Sequence, residues 1–182
     1  MLDFLPAPLK GTLAALLILC NTLVLFPVLL VFALLKLVLP LNPVRKACTV
    51  ILNNIAWVWI GFNNLLMDFL HKVTWDVRGV ENLSRKHWYF VTCNHQSWPD
   101  IPAIQYVLNS RIPLLKFFLK KQLIWVPFLG VAWWALDFPF MHRHTKEQIA
   151  KRPELKGKDV AATQAACEKF RYTPVTIFKF ME

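Results

Sequence analysis

The segment from Trp88 to Asp100 reads WYFVTCNHQSWPD and decides the fold class. Its first half, WYFVTC, is a continuous β-rich run, which predicts a strand buried on both faces of a parallel sheet. Pro99 then opens a helix that extends to about Leu108, because the first N–H of a helix has no intrahelical partner for proline to remove. A strand, a tight loop and a helix in succession indicate an α/β fold.

Short strands and helices continue to alternate over residues 72–182. This alternation predicts an α/β sheet with crossover helices. A further strand is predicted at 73–77, because Val73, Trp75 and Val77 alternate with polar residues. Other strands are predicted at 113–119, 138–141 and 174–181. Further helices are predicted at 120–136, with a break at Pro127, and at 157–170. The basic stretch 142–156 between them predicts a loop.

Residues 1–71 are strongly apolar and predict a membrane anchor. The 25 residues from Gly11 to Leu35 carry no charge and would form a helix of about 37 Å, longer than a hydrocarbon core of about 30 Å. A signal peptide fits less well, because the run is too long and no small-x-small cleavage site follows it. Pro27 predicts a kinked or tilted span, or a tight hairpin that enters the membrane and returns.

The second apolar stretch, residues 47–70, has two different faces. Polar or small residues and one tryptophan recur at steps of three and four, while the opposite side is apolar: Thr49, Asn53, Trp57, Gly61, Asn64 and Asp68 against Val50, Ile51, Ile55, Val58, Phe62, Leu65 and Leu66. This pattern predicts a helix lying in the membrane interface, with a second transmembrane helix as the alternative. Lys36, Arg45 and Lys46 lie between the two stretches and predict a cytoplasmic loop.

Composition and charge exclude a simple soluble domain. The chain is 56% hydrophobic and its net charge is +10, of which residues 72–182 carry +8. A basic surface suits nucleic acid, anionic lipid or a phosphorylated substrate. The apolar anchor favours lipid, and no nucleic-acid recognition motif is present. The four cysteines form no CxxC pair, which predicts free thiols without disulfides or zinc.

His95 and Asp100 are the candidate catalytic residues. They follow the carboxyl end of a predicted strand, where open α/β sheets bind their ligands. The carboxylate can turn back and accept a hydrogen bond from one imidazole nitrogen, which makes the other a better base. No Ser or Cys nucleophile occupies a comparable turn, so the activated hydroxyl would belong to the substrate. An ordinary histidine in a capped loop is the alternative; a metal site is disfavoured because no further ligands cluster nearby.

Three blocks of this sequence resemble the PlsC-like glycerolipid acyltransferases, which include lysophosphatidic acid acyltransferases. NHQSWPD at 94–100 is similar to their first block, N-H-x4-D. KKQLIWVPFLG at 120–130 resembles the stretch leading to the second block, DFPFMHR at 137–143, and VTIFKFME at 175–182 resembles the strand entering the third, P-E-G-T-R. The match extends from about residue 72 to the end. With the anchor, it is most similar to the bacterial inner-membrane YihG-type branch.

The resemblance implies a glycerol-3-phosphate acyltransferase-like αβ sheet and a role for each site residue. His95 would be the general base and Asp100 its orienter. Asn94 would shape the loop. Arg143 and Lys120 would face the substrate phosphate, and Glu182 would be the acid of the third block. The acyl donor would be acyl-CoA or acyl carrier protein, with no cofactor. The acceptor would be a lysophospholipid, 1-acyl-sn-glycerol-3-phosphate giving phosphatidic acid, at the bacterial inner membrane with the catalytic part facing the cytoplasm.

The sequence departs from the family pattern in the second and third blocks. Asp137 stands where the family has glycine, Pro139 replaces an aliphatic residue, and His142 precedes Arg143. The chain stops at Glu182, before the rest of the third block. We therefore expect an amino-terminal fragment with weak or no activity of its own. The alternative function is a catalytically silent, membrane-bound interaction protein.

Overall fold

The computed structural model describes residues 6–39, 41–70, 73–94, 96–97, 99–141 and 174–181, and the isolated positions Gln164, Glu168 and Phe170. Two long helices precede a small mixed region of strands and helices. The elements are α1 (Ala7–Val38), α2 (Asn42–Leu70), β1 (Tyr89–Asn94), α3 (Asp100–Leu108), β2 (Leu115–Phe117), β3 (Leu119–Lys120), a 3-10 helix (Lys121–Trp125), α4 (Leu129–Ala135), β4 (Phe140–Met141) and β5 (Thr176–Met181).

The described strands form two parallel sheets. The larger sheet has the order β1-β5-β2, and β3 pairs with β4 in the smaller one. Helix α3 connects β1 to β2, as expected for a crossover between parallel strands. The buried side chains of Ile112, Leu115 and Phe178 form the core between α3 and the sheet. The predicted α/β arrangement with crossover helices is therefore confirmed for these elements.

Strand β1 differs from the prediction because it is buried on one face only. Exposure alternates along the strand, and the side chain of Phe90 is 65% exposed. Tyr89, Val91 and Cys93 pack towards the core beneath α3. A continuous apolar run predicts burial on both faces, and that prediction is wrong here because the described helix α3 supplies cover for only one of them.

The predicted strand at 73–77 is also wrong, since residues 73–78 form no regular secondary structure. Trp75 stacks on the ring of Tyr106 in α3, with centroids 4.4 Å apart. Arg78 donates two hydrogen bonds to the carboxylate of Asp76. The alternating pattern thus arises from a tryptophan that packs on a helix, without the partner strand that a β-strand requires.

The region after β2 agrees with the predicted break at Pro127. The 3-10 helix ends at Trp125 and α4 begins at Leu129. A Cβ atom at Gly130 would overlap the carbonyl group of Ile124, so glycine is required for this close approach. The predicted loop at 142–156 and most of the predicted helix at 157–170 lie outside the described residues.

Helices α1 and α2 form a hairpin held by polar contacts between them. The Asn21 side chain donates to the carbonyl oxygen of Trp59 and to Asn63 Oδ1, both at 3.1 Å. Trp59 Nε1 donates to Thr22 Oγ1 at 3.0 Å. Helix α1 continues through Pro27 without interruption, so the alternative of a hairpin within residues 11–35 is wrong. Both helices are long and apolar enough to cross a membrane.

The two faces of α2 have different neighbours. Asn109 of the strand-and-helix region that follows the hairpin donates to the carbonyl oxygen of Trp57 at 3.2 Å, and Tyr106 donates to Asp68 at 2.7 Å. The polar face of α2 therefore lies against the strand-and-helix region. Large apolar side chains on the other side are exposed and form what we call the apolar stripe: Val58, Phe62, Leu65 and Phe69.

The carboxyl-terminal half of α1 also packs on the strand-and-helix region. Leu29 and Ala33 share a buried cluster with Leu136 and Phe138. Lys36 Nζ donates to Asp137 Oδ2 at 2.5 Å and to the carbonyl oxygen of Ala135 at 3.1 Å. Asp137 has φ = 58°, the left-handed region that favours glycine. The residue that departs from the family glycine thus forms an ion pair with the hairpin.

Candidate active site

The loop between β1 and α3 is held by the carboxylate of Asp100. Asp100 Oδ2 accepts hydrogen bonds from the backbone N–H groups of Gln96, at 2.7 Å, and Ser97, at 2.9 Å. The Ser97 hydroxyl lies 3.4 Å from Oδ1. Asp100 is also the first residue of α3, where the N-terminal end of the helix dipole favours a negative charge. The carboxylate turns back over the loop and binds its backbone.

His95 and Trp98 lie outside the described residues, so the predicted hydrogen bond between His95 and Asp100 stays a prediction. Their immediate neighbours are placed. Asn94 is the exposed last residue of β1, and Gln96 is bonded to Asp100. The loop that carries His95 therefore begins at the carboxyl end of a parallel strand, where ligands bind in open α/β sheets.

The ends of two neighbouring strands meet at this edge. Asn94 of β1 is paired with Met181 of β5. These residues precede His95 and Glu182 in the sequence. Glu182 itself lies outside the described residues. The described backbone thus brings the first and third sequence blocks to adjacent positions, although 86 residues separate Asn94 from Met181.

Lys120 follows the carboxyl end of β2 and is exposed. It pairs with Met141 in the smaller sheet, and Met141 is two residues before Arg143. Arg143 lies outside the described residues. The pairing places the backbone of Lys120 beside the segment that leads to Arg143, but it does not test whether either side chain faces a phosphate.

The thiol of Cys93 is a neighbour of the site that the sequence did not single out. Its Sγ donates to the carbonyl oxygen of Asn94 at 2.7 Å. Burial raises the pKa of this thiol, and the negative charge of Asp100 raises the pKa further. Cys93 is therefore held as a neutral thiol, which is a poor nucleophile. Cys20, Cys48 and Cys93 are all free cysteines, as predicted.

Lys116 is a second residue whose position the sequence did not predict. It is 1% exposed in β2, and its Nζ donates to the carbonyl oxygen of Leu136 at 2.6 Å. Its ammonium also lies 4.8 Å from the centroid of the Phe170 ring. The sequence feature that could have identified this buried residue is a lysine within the otherwise apolar strand predicted at 113–119. Its contacts link β2 to the end of α4.

An apolar cavity of about 100 Å³ is lined by residues of the helical hairpin, of α4 and of the segment around β2. Trp133 lines it, whereas Trp134 does not. Asn94, Asp100 and Lys120 do not line the cavity. Within the described ranges, no three His, Cys, Asp or Glu side chains are grouped to hold a metal ion.

The described strands form a parallel sheet, and the NHQSWPD loop at 94–100 follows its carboxyl edge. A family model described as "Acyltransferase" matches residues 74–174, more than half of the chain. The chain therefore belongs to the acyltransferase family of the PlsC type. Comparison with curated proteins and with solved structures gave no match.

Proposed function

We propose that the protein is a membrane-associated acyltransferase that acylates the free hydroxyl of a lysophospholipid. The acyl donor is a thioester of CoA or acyl carrier protein, and the acceptor is 1-acyl-sn-glycerol-3-phosphate. The observation that carries this proposal is the loop after β1. Asp100 fixes its backbone through Gln96 and Ser97, and His95 lies directly before Gln96.

The chemistry requires a base but no protein nucleophile. In the proposed reaction, His95 takes the proton from the acceptor hydroxyl while the oxygen attacks the thioester carbonyl. The carbon–sulfur bond then breaks, and the departing thiolate receives the proton from the imidazolium. The product is an ester, and the free thiol is released. The neutral thiol of Cys93 beside the loop is consistent with direct transfer to the acceptor.

Substrate recognition is proposed to rest on residues that follow the strand ends. Arg143 and Lys120 would bind the acceptor phosphate, because Arg presents paired donors and Lys a point charge. Asn94 would shape the loop, and Glu182 would be the acid of the third block. Support comes from the pairing of Lys120 with Met141 and of Asn94 with Met181. The pairing of Asn94 with Met181 brings the first and third blocks together, and the pairing of Lys120 with Met141 lies in the smaller sheet.

The hairpin is proposed to hold the catalytic region at the cytoplasmic side of a bacterial inner membrane. The apolar stripe on α2 is exposed, and the polar face of the same helix contacts the catalytic region at Asn109 and Tyr106. This arrangement supports contact between lipid and the apolar side of α2. The exposed apolar side chains of α1 support insertion of that helix.

Acyl transfer by the purified full chain tests the proposal. The assay follows labelled oleoyl-CoA and 1-acyl-sn-glycerol-3-phosphate in detergent, with phosphatidic acid as the product. We expect His95→Ala to lower turnover by at least about 100-fold, the usual contribution of a general base. His87→Ala is the matched control, because His87 is exposed before β1. Turnover that is measurable and equal in the His95→Ala variant and the unmodified chain would refute the proposal.

A further inference from the structure

The carboxyl-terminal end of α4 leads directly into the second block at 137–143. The helix ends at Ala135, with Leu136 as its C-cap, and both residues are buried. The last four carbonyl groups of an α-helix have no N–H partner within the helix. A buried carbonyl group without a hydrogen bond is unfavourable. The groups that bind these four carbonyl oxygens therefore hold the end of α4 and the start of the second block.

The backbone that follows α4 binds two of the four carbonyl oxygens. The N–H of Phe138 donates to the carbonyl oxygen of Trp133 at 2.9 Å. The N–H of Asp137 donates to that of Trp134 at 3.1 Å. These two bonds form a Schellman motif, in which the residue after the C-cap has a left-handed backbone and is usually glycine. Here that residue is Asp137, with φ = 58°.

Two lysines from other elements bind the remaining two carbonyl oxygens. Lys36, in the last turn of α1, donates to the carbonyl oxygen of Ala135 at 3.1 Å. Lys116, in β2, donates to that of Leu136 at 2.6 Å. The side chain of Lys36 is 12% exposed, and Lys116 is 1% exposed. Hydrogen bonds from a charged donor are about twice as strong as neutral ones. The hairpin and the sheet thus both hold the end of α4.

Lys36 also binds the first residue of the second block. Its Nζ donates to Asp137 Oδ2 at 2.5 Å. A non-glycine residue with a left-handed backbone is unfavourable, and the ion pair with Lys36 offsets this cost. The family has glycine at this position, which needs no such partner. The conformation in which the second block leaves α4 therefore depends, in this chain, on a side chain of the hairpin.

The path of the second block after Asp137 is short and well defined. The carbonyl oxygen of Pro139 accepts a hydrogen bond from the N–H of Leu119 at 2.9 Å. Strand β4, at Phe140–Met141, pairs with β3. Two residues separate Asp137 from this strand, so a displacement of Asp137 is passed on to β4. The strand in turn precedes Arg143 in the sequence.

We propose that Lys36 and Lys116 are positioning residues for the second block, and that the hairpin thereby takes part in recognition of the acceptor phosphate. Lys36 fixes the start of the block from the hairpin, and Lys116 fixes it from the sheet. The effect on the acceptor rests on the proposed function, in which the second block contributes Arg143 to the phosphate site. The positioning of residues 137–141 does not depend on the reaction.

Hydrogen exchange in the purified full chain tests the positioning. Mass spectrometry would follow peptides that cover residues 137–141, which include the two N–H donors of the Schellman motif. We expect Lys36→Met and Lys116→Met each to accelerate exchange there about tenfold, through loss of a charge-assisted hydrogen bond. Lys36→Arg keeps a charged donor and should stay within about threefold. Lys86→Met, at an exposed position before β1, is the matched control and should leave exchange unchanged. Unchanged exchange in both Lys36→Met and Lys116→Met would overturn the proposal.

Glycine at position 137 provides a rescue that a general loss of structure would not show. Glycine adopts the left-handed backbone without a partner for its side chain. Asp137→Gly in the Lys36→Met background is therefore expected to return exchange at 137–141 to within about threefold of the unmodified chain. A double variant that exchanges as fast as Lys36→Met alone would overturn the role assigned to Lys36.

Acceptor binding distinguishes this inference from the proposed function. Native mass spectrometry in detergent would measure the affinities for 1-oleoyl-sn-glycerol-3-phosphate and for 1-oleoylglycerol, which lacks the phosphate. We expect Lys36→Met to weaken binding of the phosphorylated lipid about fivefold and of the other lipid by less than about twofold. Equal weakening of both would leave Lys36 a general structural role and overturn the proposal. If the unmodified chain binds both lipids equally, the proposed phosphate site is refuted, and exchange at 137–141 still decides the positioning.

Discussion

The ion pair between Lys36 and Asp137 offers a quantitative test of how the hairpin is attached to the catalytic region. The two side chains are 12% and 26% exposed. Exposed ion pairs contribute about 0–1 kcal/mol, and breaking a fully buried pair costs about 3–5 kcal/mol. For this partly buried pair we expect about 2 kcal/mol after allowing for solvent screening. Asp137 also carries the cost of a positive φ, which is about 1 kcal/mol.

These two contributions predict different effects for two substitutions of one residue. Asp137→Ala removes the carboxylate and keeps the unfavourable φ of 58°, so it should destabilise the protein by about 2–3 kcal/mol. Asp137→Gly loses the same ion pair but relieves the backbone strain, so the net loss should be only about 1 kcal/mol. For a chain of this size, 1 kcal/mol corresponds to a change in Tm of about 2–4 °C.

The Lys36→Met background provides the decisive comparison. Without the lysine, Asp137 has lost the ion pair that offsets its strained backbone, so Asp137→Gly should now raise the Tm by about 2–4 °C. Thermal unfolding of the four variants in detergent, followed by circular dichroism, gives the coupling between the residues as a double-mutant cycle. The reasoning is refuted if Asp137→Gly lowers the Tm equally in both backgrounds, because the ion pair would then contribute nothing.

Three further predictions concern the candidate site and the packing around it. Asp100→Asn weakens two charge-assisted bonds to loop amides and should reduce acyl transfer about tenfold, whereas Ser97→Ala removes only a 3.4 Å contact and should change the rate little. Gly130→Ala introduces a backbone overlap and should lower the free energy of unfolding by about 1–3 kcal/mol. The control Gly11→Ala meets no atom within 4 Å and should stabilise α1. Urea unfolding measures the free energy of unfolding of both variants. Alkylation of Cys93 as the sole cysteine should require a higher pH than alkylation of a free thiol, since its pKa is raised. Asp100→Asn should move that pH–rate profile to lower pH; an unchanged profile would contradict the effect of the charge.

The local sequence pattern was sufficient to predict those elements whose formation depends on neighbouring residues. The uncharged run from Gly11 to Leu35 predicts a long helix, and α1 is that helix. The strand–loop–helix sequence around Pro99 predicts β1 and α3, and both are present. The proline at 127 predicts the break before α4. In each case the deciding interaction lies within a few residues, because hydrophobic length and proline geometry act locally.

Predictions that needed a distant partner were less successful. Val73, Trp75 and Val77 alternate as a strand would, yet Trp75 stacks on Tyr106 and no strand forms. The run before Asn94 predicts burial on both faces, but the exposure of Phe90 shows cover on one face only. Alternation reports where apolar side chains point; it does not report which element, if any, packs against them.

The sequence by itself determined the acyltransferase family of the chain, the apolar helical segment and the loop with a histidine and an aspartate. Only the tertiary structure decided that β5 lies between β1 and β2 and that Lys36 pairs with Asp137 across 101 residues. The physical reason is that these features depend on chain segments meeting in space. The hydrophobic effect is non-directional, so it favours contact between apolar segments without specifying which segments pair. Strand pairing and side-chain packing select one arrangement.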